Sequence, residues 1–218
     1  GRPFSFYGDT WEWNGAMWTE VFPAVSPAAR SAAGMAYDST RRRIVLHGGN
    51  GGVEVIRMFG DTWEYDGATW SEVNSFSSPG LRSHQPMVFD SARGRSVLAG
   101  LNFDACCPSD TWEWDGAVWT QFVGTGPGPA TRSGMAADAV GQGVVRFGGY
   151  DGVQQLATTW RFDGVQWTAV PTARARTRSF LRTSFTSVVS RPASRDPRMP
   201  RCYPLAPCTF SSPTGVGS

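Results

Sequence analysis

Chemistry needs reactive or charged side chains at workable spacing, and three kinds deserve weighing in this 218-residue chain. The first is arginine. A guanidinium is a planar fork that grips a carboxylate with two parallel hydrogen bonds, and Arg30, Arg82 and Arg132 each stand three residues after a proline. Such arginines can hold an acidic ligand, or can brace their own fold through an aspartate or a carbonyl. The second kind is histidine, of which there are two, His47 and His84. His47 closes an apolar run just before Gly48, and His84 follows Arg82-Ser83 in a loop. Neither has a cysteine or carboxylate cluster beside it, so metal-ligand spacing fails, and both read as structural or exposed histidines. The third kind is cysteine: Cys106-Cys107 side by side, then Cys202 and Cys208. These permit disulfides in an exported protein, with connectivity that sequence cannot assign, or incidental thiols. No catalytic set converges, so no catalytic residue, metal site or cofactor is expected.

The elements that position these groups follow from internal repetition. Residues 8–19, GDTWEWNGAMWT, return as 60–71 (GDTWEYDGATWS), 109–120 (SDTWEWDGAVWT) and 157–168 (ATTWRFDGVQWT). A second phrase lies between copies: PAARSAAGMAYDSTRRRIVLHGGN from Pro27, PGLRSHQPMVFDSARGRSVLAGLN from Pro79 and PATRSGMAADAVGQGVVRFGGY from Pro129. Arg30, Arg82 and Arg132 align in it, as do Asp38, Asp90 and Asp138, with the third copy two residues shorter between arginine and aspartate.

Aromatic and polar residues alternate in Trp11-Glu12-Trp13 and its copies, the period of a strand. Asn14-Gly15, Asp66-Gly67, Asp115-Gly116 and Asp163-Gly164 read as type I′ hairpin turns. A two-residue turn sets Trp11 opposite Trp18, Trp63 opposite Trp70, Trp112 opposite Trp119 and Trp160 opposite Trp167. Two more strands centre on Met35-Ala36-Tyr37 and Ile44-Val45-Leu46 with their copies, joined in the first copy by a polar turn over Asp38 to Arg42. The chain is therefore all-β, each unit a four-stranded antiparallel meander. Glu12, Glu64 and Glu113 recur at one strand position, and repetition argues for a structural or solvated face. Arg41-Arg42-Arg43 falls at a strand turn and reads as pointing into water.

Composition agrees. The chain is 40% hydrophobic and 17% charged, enough apolar content for a packed core. Glycine (26) and proline (15) supply the many turns, and all 20 basic residues are arginine. A net charge of +2 gives no reason to expect a nucleic-acid partner. No apolar run reaches the length of a membrane span.

These phrases resemble kelch repeats: a Pro-x-x-Arg-Ser lead, a small-residue strand, an apolar strand ending in Gly-Gly, and a tryptophan after a turn. The resemblance covers about residues 4–170. It implies a β-propeller of four-stranded kelch blades, here an incomplete arc of three full blades (about 31–73, 83–122 and 133–170) plus a half blade (4–22). Residues 171–218 form an irregular basic tail that need not belong to the domain. The family pattern also implies that Met35, Met87 and Met135 lie near the crowded inner edge, with the tryptophans between blades. Each such ring removes about 150–250 Å² from water, about 4–6 kcal/mol gross.

In kelch folds the loop into the first strand opens on one face beside the loop after the Gly pair. That makes Arg30, Arg82, Arg132, Asn50, Asn102 and Tyr150 the candidate binding residues. Loops that vary on a repeated frame are where recognition tends to reside. The resemblance implies a non-catalytic binding or scaffold module for a protein or carbohydrate ligand, with an extracellular or cell-envelope setting. Two alternatives stand beside it. One is a fragment of a galactose-oxidase-like enzyme with its catalytic residues elsewhere, although no residue here matches the Tyr, His and Tyr–Cys set of copper radical oxidases. The other is a structural surface repeat protein.

Overall fold

The computed structural model describes residues 5–52, 57–101, 109–138 and 143–171. Sixteen strands run through them. A leading hairpin pairs β1 (Thr10–Trp13) with β2 (Trp18–Val21). Sheet 1 has the order β3 (Gly34–Asp38), β4 (Arg43–His47), β7 (Thr62–Tyr65), β8 (Trp70–Val73), all antiparallel. Between β4 and β7 the chain makes a small ribbon of β5 (Asn50–Gly51) and β6 (Arg57–Met58). Sheet 2 is β9 (Met87–Asp90), β10 (Arg95–Leu101), β11 (Ser109–Trp114) and β12 (Trp119–Gln121). Sheet 3 is β13 (Gly134–Asp138), β14 (Gly143–Tyr150), β15 (Gln155–Phe162) and β16 (Trp167–Val170). The all-β meanders expected from the period-two pattern are present.

The hairpin register differs from the two-residue expectation. Trp13 faces Trp18, Tyr65 faces Trp70, Trp114 faces Trp119 and Phe162 faces Trp167. The side chain of the first turn residue is the cause. Asn14 Oδ1 accepts the N–H groups of Ala16 and Met17 (2.9 and 3.0 Å), and Asp66, Asp115 and Asp163 do the same for residues two and three ahead. Short polar side chains compete well for such N–H groups. Asn or Asp is thus drawn out of the turn centre, and only the glycine takes a left-handed φ (99° at Gly15, 103° at Gly116). Glycine then follows the Asn or Asp as the second of the four residues between the paired aromatics. The register slides by two residues, so every side chain keeps its face. The aromatic pairs that result have ring centroids 5.0 to 5.5 Å apart, within the range of favourable ring contact.

The sheets pack face against face, and the same bonds recur at each junction. The first tryptophan of each fourth strand donates its indole N–H to a threonine on the third strand of the preceding unit. Trp70 reaches Thr10 (3.1 Å), Trp119 reaches Thr62 (2.9 Å) and Trp167 reaches Thr111 (3.0 Å). Beside it, the Tyr65 hydroxyl donates to Glu12 (2.9 Å) and the Trp114 indole donates to Glu64 (2.8 Å). Each unit therefore turns its aromatic face backward and its Thr/Glu face forward. The core lies between the sheets. Ala36 and Val45 of sheet 1 pack on Met87, Phe89, Leu98 and three tryptophans of sheet 2, and Val97 and Ala99 pack on Val144, Phe162 and Trp167 of sheet 3.

Candidate functional site

The loop leading into each first strand crosses the turn after the apolar strand. Gly48 and Gly49 make that crossing possible, with φ of 70° and 102°. A Cβ on Gly48 would lie 2.6 Å from the Arg82 carbonyl, and one on Gly49 would lie 2.8 Å from the Ser31 carbonyl. No L side chain fits either place. Ser31 and Asn50 then form a bridge, as do Thr131 and Tyr150, with Ser31 N–H donating to Asn50 O at 2.8 Å and Thr131 N–H to Tyr150 O at 3.0 Å. Arg30 is thereby set beside Asn50, and Arg132 beside Tyr150. Asn102, the third loop candidate, lies outside the described residues, as do all four cysteines.

Arg30 and Arg82 hold aspartates of their own sheets. Arg30 clasps Asp61 with both Nη atoms (2.7 and 2.8 Å) and donates to the Gly48 and Ala28 carbonyls. Its guanidinium stacks 4.1 Å from the centre of the Phe59 ring. Arg82, with a fully buried side chain, clasps Asp110 (2.8 and 3.1 Å) and donates to the Pro79 carbonyl. Each aspartate also receives the indole N–H of the tryptophan two residues on, Trp63 and Trp112. Burial pushes the Asp61 carboxyl up, but Arg30 and the Trp63 indole together outweigh it and hold it below the usual range.

Arg132 is not their structural counterpart. Ala32, His84 and Arg132 share a left-handed φ (55°, 61° and 57°) three residues before Met35, Met87 and Met135. Backbone bonds join the three in series, His84 N–H to Ala32 O (2.9 Å) and Arg132 N–H to His84 O (3.0 Å). In this frame Pro127, and not Pro129, stands where Pro27 and Pro79 do, and the apparent two-residue shortening between arginine and aspartate disappears. Ala130 stands where Arg30 and Arg82 stand, and Thr158 stands where Asp61 and Asp110 do. Both halves of the ion pair are missing from the third unit together. Arg132 instead projects from the loop as an exposed side chain.

Sequence reasoning passed over Arg146. It sits in β14 at the position of Leu46 and Leu98, and is only 2% exposed. Nε donates to Ser133 Oγ (2.9 Å) and Nη2 to the Ala130 carbonyl (3.1 Å), while Nη1 is buried without a partner. Desolvation lowers its pKa to about 10. The substitution of arginine for a repeated leucine was the signal.

His47 is fully buried, its Nδ1 3.0 Å from Thr62 Oγ1 and its Nε2 3.3 Å from the Gly80 carbonyl. Since Trp119 donates to the same Thr62 oxygen, the consistent chain runs from indole to hydroxyl to Nδ1, with Nε2–H donating to Gly80. Burial, then the nearby Arg82 charge, lower the His47 pKa to about 3, so it is neutral at ordinary pH. The repeated glutamates are bonded as well. Glu64 takes Arg41 Nη1 (2.7 Å) along with the Trp114 indole, and Glu113 takes Arg93. Among the described residues no group of three or more His, Cys, Asp and Glu is arranged to hold a metal, and no helix is long and apolar enough to cross a membrane. Scanned against models of known families the chain matches none, and no curated protein matches it.

Proposed function

We propose that this chain is an arc of a kelch-type β-propeller that acts by binding, taking an acidic protein segment or glycan on the rim where the leading loops meet the Gly-Gly turns. The blade reading draws support from the indole–threonine bond that repeats at each sheet junction. One observation carries the rim: the bridges Ser31–Asn50 and Thr131–Tyr150 bring two loops together in the first and third units. At that rim, Arg132 is exposed beside Tyr150, whereas Arg30 and Arg82 are committed to Asp61 and Asp110. An exposed guanidinium suits a carboxylate-bearing partner. The loops also differ between units. The first forms the β5–β6 ribbon, and the third runs on as a β14–β15 hairpin turned at Asp151 to Gln154.

The test is a binding screen of the full chain on immobilised acidic peptides and on glycans with carboxylate or sulfate groups. A hit that weakens tenfold or more in Arg132→Glu and in Tyr150→Ala, with unchanged far-UV circular dichroism, supports the rim. Hits indifferent to both substitutions, or no hit in either set, overturn it.

A further inference from the structure

Strand β1 has the sequence of a third strand but only one neighbour. In sheets 1 and 2 the equivalent strands, β7 and β11, pair with β8 and β12 on one side and with β4 and β10 on the other. Among the described residues the other edge of β1 pairs with nothing. An unpaired edge is a row of N–H and C=O groups ready to add a strand.

The space beside that edge is open, and large apolar side chains are exposed in it. Met35 and Tyr37 on β3 are 58% and 55% exposed, whereas Met87 and Phe89, the same positions in sheet 2, are each 8% exposed. A cleft of about 1080 Å³ lies here, lined by Trp11, Met35 and Tyr37, by the carboxylates Asp9 and Glu12, and by arginines that include Arg41 of the β3–β4 turn, already paired with Asp38 and Glu64.

Those two carboxylates say what belongs in the cleft. In each of sheets 1 and 2 an aspartate and a glutamate three residues apart receive two arginines from one inner ribbon. Asp61 and Glu64 take Arg30 and Arg41, and Asp110 and Glu113 take Arg82 and Arg93. In both ribbons the arginines are eleven residues apart, one ahead of the first strand and one in the turn after it. Asp9, just ahead of β1, and Glu12 within it have the same spacing. Asp9 accepts the Trp11 indole (2.6 Å) and Glu12 the Tyr65 hydroxyl (2.9 Å), and no arginine of the described residues reaches either.

We propose that β1 and this cleft are the docking site for a two-stranded ribbon of the same repeat, supplied by another repeat-bearing polypeptide segment and carrying two arginines eleven residues apart. Its second strand adds to β1 across Thr10 to Trp13, its first strand covers Met35 and Tyr37, and its arginines clasp Asp9 and Glu12. The ribbons of this chain are already used, β4 by β7, β10 by β11 and β14 by β15. Residues 172–218 contain eight arginines, but no two are eleven apart and no two glycines are adjacent. This surface is separate from the rim, so either reading can fail alone.

The test titrates a labelled peptide of residues 27–49 into the full chain and follows anisotropy. Saturable 1:1 binding is expected. It should weaken at least tenfold when the chain carries Asp9→Asn with Glu12→Gln, or when the peptide carries Arg30→Gln with Arg41→Gln. Absence of binding, or binding that ignores both pairs of changes, overturns the proposal unless a covalent version restores the effect. An isolated ribbon is marginal in water, so that version decides: a tandem chain in which residues 27–59 are joined directly to Gly8, which stands where Gly60 does. It should melt several degrees above the original chain, with most of the gain lost on Asp9→Asn with Glu12→Gln. An unchanged or lower midpoint refutes the docking site.

Discussion

Replacing Arg146 by leucine is expected to stabilise the protein. Its guanidinium is 2% exposed, has no carboxylate partner and leaves Nη1 without a hydrogen bond. Desolvation lowers its pKa from the usual arginine range to about 10, and at about 1.4 kcal/mol per unit the buried charge costs about 3 kcal/mol. A leucine, as at positions 46 and 98, adds about 1.5–3 kcal/mol of apolar burial. Against this, Ser133 Oγ and the Ala130 carbonyl each lose a donor, at about 1–3 kcal/mol apiece. These terms centre on a gain of about 1 kcal/mol for Arg146→Leu, or about 2–4 °C for a chain of this length. Urea titration and thermal melting by far-UV circular dichroism measure it. The pH dependence supplies a second check. Because the folded pKa is the lower one, the penalty is complete below about pH 10 and fades as pH rises above it, so the two proteins should converge above pH 10. A loss of 1 kcal/mol or more in Arg146→Leu at pH 7 would show that the guanidinium is a net stabiliser and refute the reasoning.

Three further outcomes follow from the repeated bonds. Asp110→Asn strips the carboxylate from the buried Arg82 and should cost about 3–5 kcal/mol. Asp9→Asn, at the same repeat position without an arginine, should cost under about 1 kcal/mol in the same urea titration. Thr62→Val removes the partner of both Trp119 and His47 and should cost about 1–3 kcal/mol, whereas Thr159→Val, at the position that no later sheet of the described residues overlies, should stay within about 0.5 kcal/mol. For His47, with a folded pKa of about 3 against 6.5, the stability gained from staying neutral is present above pH 6.5 and lost as pH falls toward 3. Wild type should therefore lose roughly 3 kcal/mol relative to His47→Phe between pH 6.5 and 4, and parallel curves would refute the assignment. Phenylalanine is chosen because Phe147 occupies this position in the third unit.

Much of the fold is legible in local pattern. The period-two aromatics place β1, β7, β11 and β15, and the recurring phrase places the other strands and groups them in fours. The structural role of the glutamates also follows from repetition, since a unique acid would not recur. The hairpin register is less accessible. Asn-Gly and Asp-Gly favour a type I′ turn as dipeptides, but capping of two N–H groups by the same Asn or Asp side chain makes them the first two of the four residues between the paired aromatics. Loop alignment misleads in the same way. Arg132 matches Arg30 and Arg82 in letters, yet the left-handed residue three before Met135 fixes the frame and puts Ala130 in the arginine position.

The sequence by itself determined the all-β class, the extent of the strands and the repeated four-strand unit, because strand period and turn chemistry act between neighbours along the chain. Only the tertiary structure decided which charges are committed. Arg30 finds Asp61 thirty-one residues away and Arg82 finds Asp110 twenty-eight away, and no local pattern encodes such distances. It also decided that Arg146 is buried without a counter-charge, and that Asp9 and Glu12 stand on an unpaired edge. A side chain's partner and its hydration depend on what the rest of the chain brings beside it, and that is settled only when the sheets stack.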